Sequence, residues 1–91
     1  MSREEEQLER EVILGEKAER AYTAYLQDLF ASERLDIFNR FCCADTDPDT
    51  LANVKHEQMA LDNLEQVTLT HIETGKMAKQ QLNDLVRNNN G

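Results

Sequence analysis

Ala44-Asp45-Thr46-Asp47-Pro48-Asp49-Thr50 holds the only proline of the chain and no large apolar side chain. Proline inside a helix loses a hydrogen bond and clashes with the preceding turn, so no helix runs through this stretch. It is well placed at a first helical position, with Asp47 before it as N-cap. The chain therefore divides here into two nearly equal arms: arm one over 2–43, an acidic turn over 44–50 and arm two over 51–87.

Working backwards, arm one opens with Ser2 and, three residues on, Glu5, a capping-box spacing. Leu8, Val12, Gly15, Ala18, Tyr22, then Tyr25 or Leu26, and Leu29 recur at steps of three and four. That is the stripe of an amphipathic helix. It resumes at Leu35, Phe38 and Phe41, and a bend or short interruption is expected between, at Ala31-Ser32-Glu33-Arg34. Glu6–Arg10, Glu16–Arg20 and Asp36–Arg40 place the acid four residues before the base, the orientation that supports a helix.

Forwards from the turn, Val54, Gln58, Leu61, Leu64, Thr68 or Val67, His71 or Ile72, Gly75, Ala78, Leu82 and Leu85 repeat the helical period. Val67 to Thr74 is rich in β-branched residues with strand propensity. A lone strand would find no partner in this sequence, and the flanking period decides for helix. Asn88-Asn89-Asn90-Gly91 has poor helix propensity and is expected to fray.

The fold class is thus all-α: a long helical hairpin, its first arm either continuous or bent into two helices, with coiled-coil-like packing. Tyr22, Tyr25, Leu26, Phe30, Ile37, Phe38 and Phe41 are too many large groups for one partner helix. The surplus points to an oligomer, and Tyr22, Tyr25, Phe30, Phe38, Phe41 and Gly75 are the expected interface residues. Gly75, with Ala78 one turn on, reads equally as a point of close helix approach or a tolerated defect. Gly15 reads as a defect or a local helix break, at a cost of roughly 1 kcal/mol relative to Ala.

Ninety-one residues, 31% of them charged and 40% apolar, allow one small domain. Eighteen acidic against ten basic residues give a formal charge of −8, which repels phosphate and excludes direct nucleic-acid binding. The same field disfavours an anionic membrane surface, and no apolar run exceeds the four residues Phe41 to Ala44. The start Met1-Ser2-Arg3-Glu4-Glu5-Glu6 is acidic where a signal peptide is basic. A cytosolic protein, not secreted, is expected.

Asp45-x-Asp47-x-Asp49 has the spacing of the first ligands of a calcium loop. Continuing the register puts Thr50 where glycine is needed and His56 where a bidentate glutamate is needed, so no metal is expected. Carboxylates at a helix N-terminus, favoured by the helix dipole, account for the cluster. The same acids after Phe41-Cys42-Cys43-Ala44 superficially suggest an aspartate-nucleophile phosphatase, but that chemistry requires a parallel sheet. His56 and His71, fifteen apart, lie about four turns from each other and cannot share a metal. Adjacent Cys42 and Cys43 cannot form an ordinary disulfide, and their spacing is not that of a redox or zinc pair. No catalytic residue, cofactor or enzyme activity is expected.

Up to Asp36 the chain carries ten acidic and five basic residues, and from Leu51 on five and four. Arm one is therefore the more negative, and Glu4, Glu5 and Glu9 mark an acidic surface. An alternative function follows: an inhibitor that occupies a basic, nucleic-acid-binding surface of a host protein.

Ala60-Leu61-Asp62 with Leu64, then Ile72-Glu73-Thr74-Gly75-Lys76-Met77-Ala78 and Leu82, resemble the second arm of small tailed-phage proteins. Those are encoded among packaging, portal and head-assembly genes. The acidic turn and the preceding Leu35 and Phe38 also suit the pattern, which covers about half of the chain. The resemblance implies a virion-associated or assembly role, with a homo-oligomer or a larger phage assembly as partner.

Overall fold

The structure, a computed structural model, describes residues 2–43 and 47–90. Helix α1 (Arg3–Ala21) passes through a π turn (Tyr22–Leu26) into α2 (Gln27–Cys43), and α3 (Pro48–Asn90) returns alongside both. All residues from Arg3 to Cys43 are helical, so arm one is a single long helix with an irregular turn. No strand occurs among the described residues, and the β-branched stretch from Val67 is helical, as its flanks required. There Thr68 and Thr70 turn their hydroxyls back onto the carbonyls of Leu64 and Gln66, at 3.0 and 2.8 Å.

Both helix starts are capped where the sequence places caps. Ser2 Oγ accepts the Glu5 N–H at 3.2 Å, with Glu4, Glu5 and Glu6 in the dipole-favoured first turn. Asp47 Oδ1 accepts the Asp49 N–H at 3.1 Å and its Oδ2 accepts the Thr50 hydroxyl at 2.8 Å. Helix α3 consequently begins at Pro48, inside the stretch assigned to the turn, and runs past the expected end at Arg87. Asn88 does not fray but continues it.

The hairpin is a rod of 67 × 22 × 15 Å. Its radius of gyration is 19.4 Å, where a compact globule of this length has about 12 Å. The core is one file of side chains: Leu8, Phe30, Ile37, Val54, Ile72 and Ala78 are the buried hydrophobics. Helix α1 lies much closer along α3 than α2 does, so the hairpin is tight at its open end and splayed towards the turn.

The tight end is closed by two glycines. A Cβ on Gly15 would lie 2.7 Å from the Gly75 Cα and 2.9 Å from the His71 carbonyl oxygen. One on Gly75 would lie 2.7 Å from the Gly15 Cα and 3.0 Å from the Glu11 carbonyl oxygen. Gly15 is therefore neither a defect nor a break, and Gly75 belongs to a contact within the chain rather than between chains. Ala78, buried one turn beyond Gly75, keeps the seam narrow.

The irregularity in arm one falls a full turn before the expected bend at Ala31 to Arg34. In the π turn the Gln27 N–H reaches the Tyr22 carbonyl five residues back, and the Thr23 hydroxyl bonds the Glu19 carbonyl at 2.9 Å. Such a turn inserts one extra residue into the helical repeat. Continued without it, the three-and-four steps through Leu8, Val12, Gly15, Tyr22 and Leu26 arrive at Leu29, Glu33, Asp36 and Arg40. Three of those four are charged. The insertion advances the inward face by one residue, to Phe30, Arg34 and Ile37, of which Phe30 and Ile37 are buried.

Two consequences are measurable by thermal denaturation. In an ordinary helix interior Ala is more stable than Gly by about 1 kcal/mol. Here Gly15→Ala should instead destabilise, by roughly 1–3 kcal/mol, because two backbones must separate; a raised melting temperature would contradict the contact. Deleting exposed Ala24 removes the extra residue and should leave a regular helix with Phe30, Arg34 and Ile37 still facing inwards and melting still cooperative, whereas inserting an alanine between Leu29 and Phe30 should bring Glu33 and Asp36 onto the inward face and abolish cooperative melting.

Candidate functional site

The π turn and the splay leave a gap between α2 and α3 that polar side chains bridge. Arg34 sends Nη2 to Glu65 Oε1 at 2.7 Å and to Asp62 Oδ1 at 2.9 Å. On its other oxygen Glu65 accepts the Tyr22 hydroxyl at 3.1 Å. Nearer the turn Arg40 joins Glu57 at 2.5 Å and Asp36, on its own helix, at 3.1 Å. Asp36–Arg40 is the one pair of the three expected acid-first pairs that closes.

These bridges set the local ionisation. Hydrogen bonding from Arg34 holds the Glu65 carboxyl below its usual range against the opposing effect of partial burial, and the Tyr22 hydroxyl acts in the same direction. Hydrogen bonding from Arg40 does the same for Glu57. Partial burial, then the bond to Glu65, raises the Tyr22 phenol. Depressed carboxyls stabilise the fold above their unfolded pKa near 4.3, and that contribution is lost as the pH falls through the folded value.

The expected interface residues separate into two groups. Phe30 is 2% exposed, and Tyr22 packs against it with ring centroids 6.4 Å apart. With Gly75 set against Gly15, these three are engaged inside the chain and are not free to meet another. Tyr25 (63%), Phe38 (61%) and Phe41 (55%) remain exposed, together with Leu35 (61%). At the π turn, whose extra residue resets the phase of the helix, Leu26 is half-buried and Tyr25 lies outside. In α2 the extra residue brings in Ile37, and Leu35, Phe38 and Phe41 lie along an exposed flank.

Two open grooves lie on either side of Ile37. Arg34, Ile37, Phe38, Phe41 and Gln58 line the first; Glu33, Arg40, Glu57, Ala60, Leu61 and Leu64 lie along the second with Ile37. The first holds no carboxylate, and its single charge, Arg34, is already bridged. Its signal in the sequence is the three-residue repeat of Leu35, Phe38 and Phe41, large groups beyond what one partner helix can cover.

No protein-family model, curated protein or solved structure matches the chain. Its surface must therefore be read on its own chemistry.

Glu4 and Glu9 are exposed and Glu5 half-buried at the start of α1. Folding the arms together redistributes the charge. The Gly15–Gly75 register sets Lys76 and Lys79 beside Glu16 and Glu19, with Lys76 Nζ 4.0 Å from Glu19 Oε1. Acids of arm one are thus met by lysines of arm two, and the more negative half in space is the one near the turn. Asp49 and Thr50 are engaged with the carboxylate of Asp47 as a helix cap, and Asp45 lies outside the described residues. No group of side chains suited to a metal ion occurs among the described residues. Cys42 and Cys43 are both free and exposed, and no helix is long and apolar enough to cross a membrane.

Glu65→Gln weakens two charge-assisted bonds and should lower stability at neutral pH by roughly 1 kcal/mol. Because it also removes a depressed carboxyl, the difference between variant and wild type should shrink as the pH is lowered from about 6 to about 3. Melting temperatures across that range test it; a difference that stays constant would remove Glu65 as the titrating group.

Proposed function

We propose that this chain is a non-enzymatic assembly protein, a helical hairpin that packs through apolar surface against copies of itself or against a larger assembly. The supporting observation is the surface area. The chain exposes 7059 Å², while a compact monomer of 10.5 kDa exposes about 5,400 Å². Its exposed large hydrophobics run along the rod, from Ile13 and Leu14 through Tyr25, Leu35, Phe38 and Phe41 to Leu64, Met77 and Val86. So much uncovered apolar surface on a slender rod suits packing against a partner. Following the resemblance of its second arm, we place the assembly in a phage virion, at the head or connector, and the protein in the host cytoplasm or virion interior.

Light scattering across a concentration series supplies the test, at low salt and at about 1 M, where screening acts within about 3 Å. Oligomers held by apolar packing should persist at high salt, and Tyr25→Glu with Phe38→Glu should reduce the mass to that of a monomer without loss of helicity. A monomer at every concentration and salt would overturn self-assembly. Oligomers that dissociate at high salt would replace apolar packing with charge pairing.

A further inference from the structure

Resting on the assembly reading, we infer that the occupant of the first groove is a second copy of this chain. The two turn-proximal halves then pack antiparallel about a two-fold axis near Phe38. Three observations carry this arrangement.

The first is area. Leu35, Phe38 and Phe41 recur every third residue on one flank of α2, each more than half exposed. Together they offer roughly 350 Å² of apolar surface per copy. A standard interface takes about 800 Å² from each partner, of which a little over half is apolar. The flank supplies most of that apolar share.

The second is charge. The half near the turn is the more negative one and repels its own copies, so contact between copies there is favoured only across a lining that keeps carboxylates out of the interface. The Phe38–Phe41 groove has that property: its lining is apolar apart from Gln58 and the bridged Arg34. The second groove carries Glu33 and Glu57 and does not. A partner chosen by charge complementarity would need acids on this lining to attract it, and there are none.

The third is orientation. A parallel pairing sets every acid beside its own twin, including Asp47 and Asp49 at the turn. An antiparallel pairing about Phe38 carries each turn about 13 Å past the axis, so the two lie about 26 Å apart. That exceeds three screening lengths at physiological salt. The same self-complementary geometry makes Phe38 meet its own counterpart, an aromatic pair at the centre of an isologous contact. The result is a local four-helix arrangement of α2 and the first half of α3 from each copy. The two Gly15–Gly75 ends project in opposite directions.

Double electron–electron resonance on the full chain tests it, in a background with Cys42→Ala and Cys43→Ala. A spin label at Asn39→Cys should report an intermolecular distance within about 30 Å, since packed helices lie about 10 Å apart. A label at Gln7→Cys should report none, because the two sites would stand about 90 Å apart. The dimer should also tighten slightly as salt rises, and Phe41→Glu should weaken it at least tenfold with the circular dichroism unchanged. A short distance at Gln7→Cys, or an oligomer indifferent to Phe41→Glu, would overturn this arrangement while leaving self-assembly in place. A monomeric mass with no intermolecular distance at either site would overturn both.

Discussion

The contact between Gly15 and Gly75 determines what the rest of the chain can do. Two backbones touching without side chains between them admit one register, because moving either helix by a residue replaces a hydrogen with a Cβ. That register brings Lys76 and Lys79 beside Glu16 and Glu19 and gives the open end its narrow seam. It also fixes the phase in which arm one approaches the π turn. Every later residue of α2 faces inwards or outwards according to that phase plus one.

The π turn converts a problem of composition into a division of labour. An uninterrupted repeat would place Glu33, Asp36 and Arg40 against α3, and burying such charges costs several kcal/mol each after relaxation. Advancing the repeat by one residue buries Phe30 and Ile37 and leaves Arg34 half-exposed, able to reach two carboxylates across the gap. Helices held apart by a long guanidinium cannot also close their grooves. The splay and the ion pairs are therefore aspects of one local insertion.

Much of this was legible in the amino-acid sequence. The helical period gave two arms, the β-branched stretch from Val67 yielded to its flanks, and Ser2, Asp47 and Pro48 signalled helix starts correctly. Each of those signals is local. Gly15 was misread because a missing side chain has meaning only beside its partner, sixty positions away. Phe30 reads as an interface residue in the sequence yet is buried, because the phase of a helix past a π turn depends on one inserted residue; Phe38 and Phe41, expected at an interface, are exposed. Composition gave no sign of that insertion; the run of four-residue steps from Ala18 through Tyr22, Leu26, Phe30 and Arg34 did contain it. The charge asymmetry between the arms was real in sequence and reversed in space, since an antiparallel hairpin averages its arms.

The single-file core also governs how the molecule comes together. Partners near the turn, such as Arg40 and Glu57, are seventeen residues apart, whereas Gly15 and Gly75 are separated by sixty. Closing the longer loop costs about 1 kcal/mol more in chain entropy. A hairpin whose best contacts sat at the turn would zip shut from there, each added pair stabilising the next. Here the loosest packing is the cheapest to form and the tightest is the most distant. Closure near the turn buries Phe30, Ile37 and Val54, and the closest backbone contact is made only when the far ends meet. The placement of two glycines thus puts the contact that joins the two arms of the 67 Å rod most closely far from the turn that connects them in sequence.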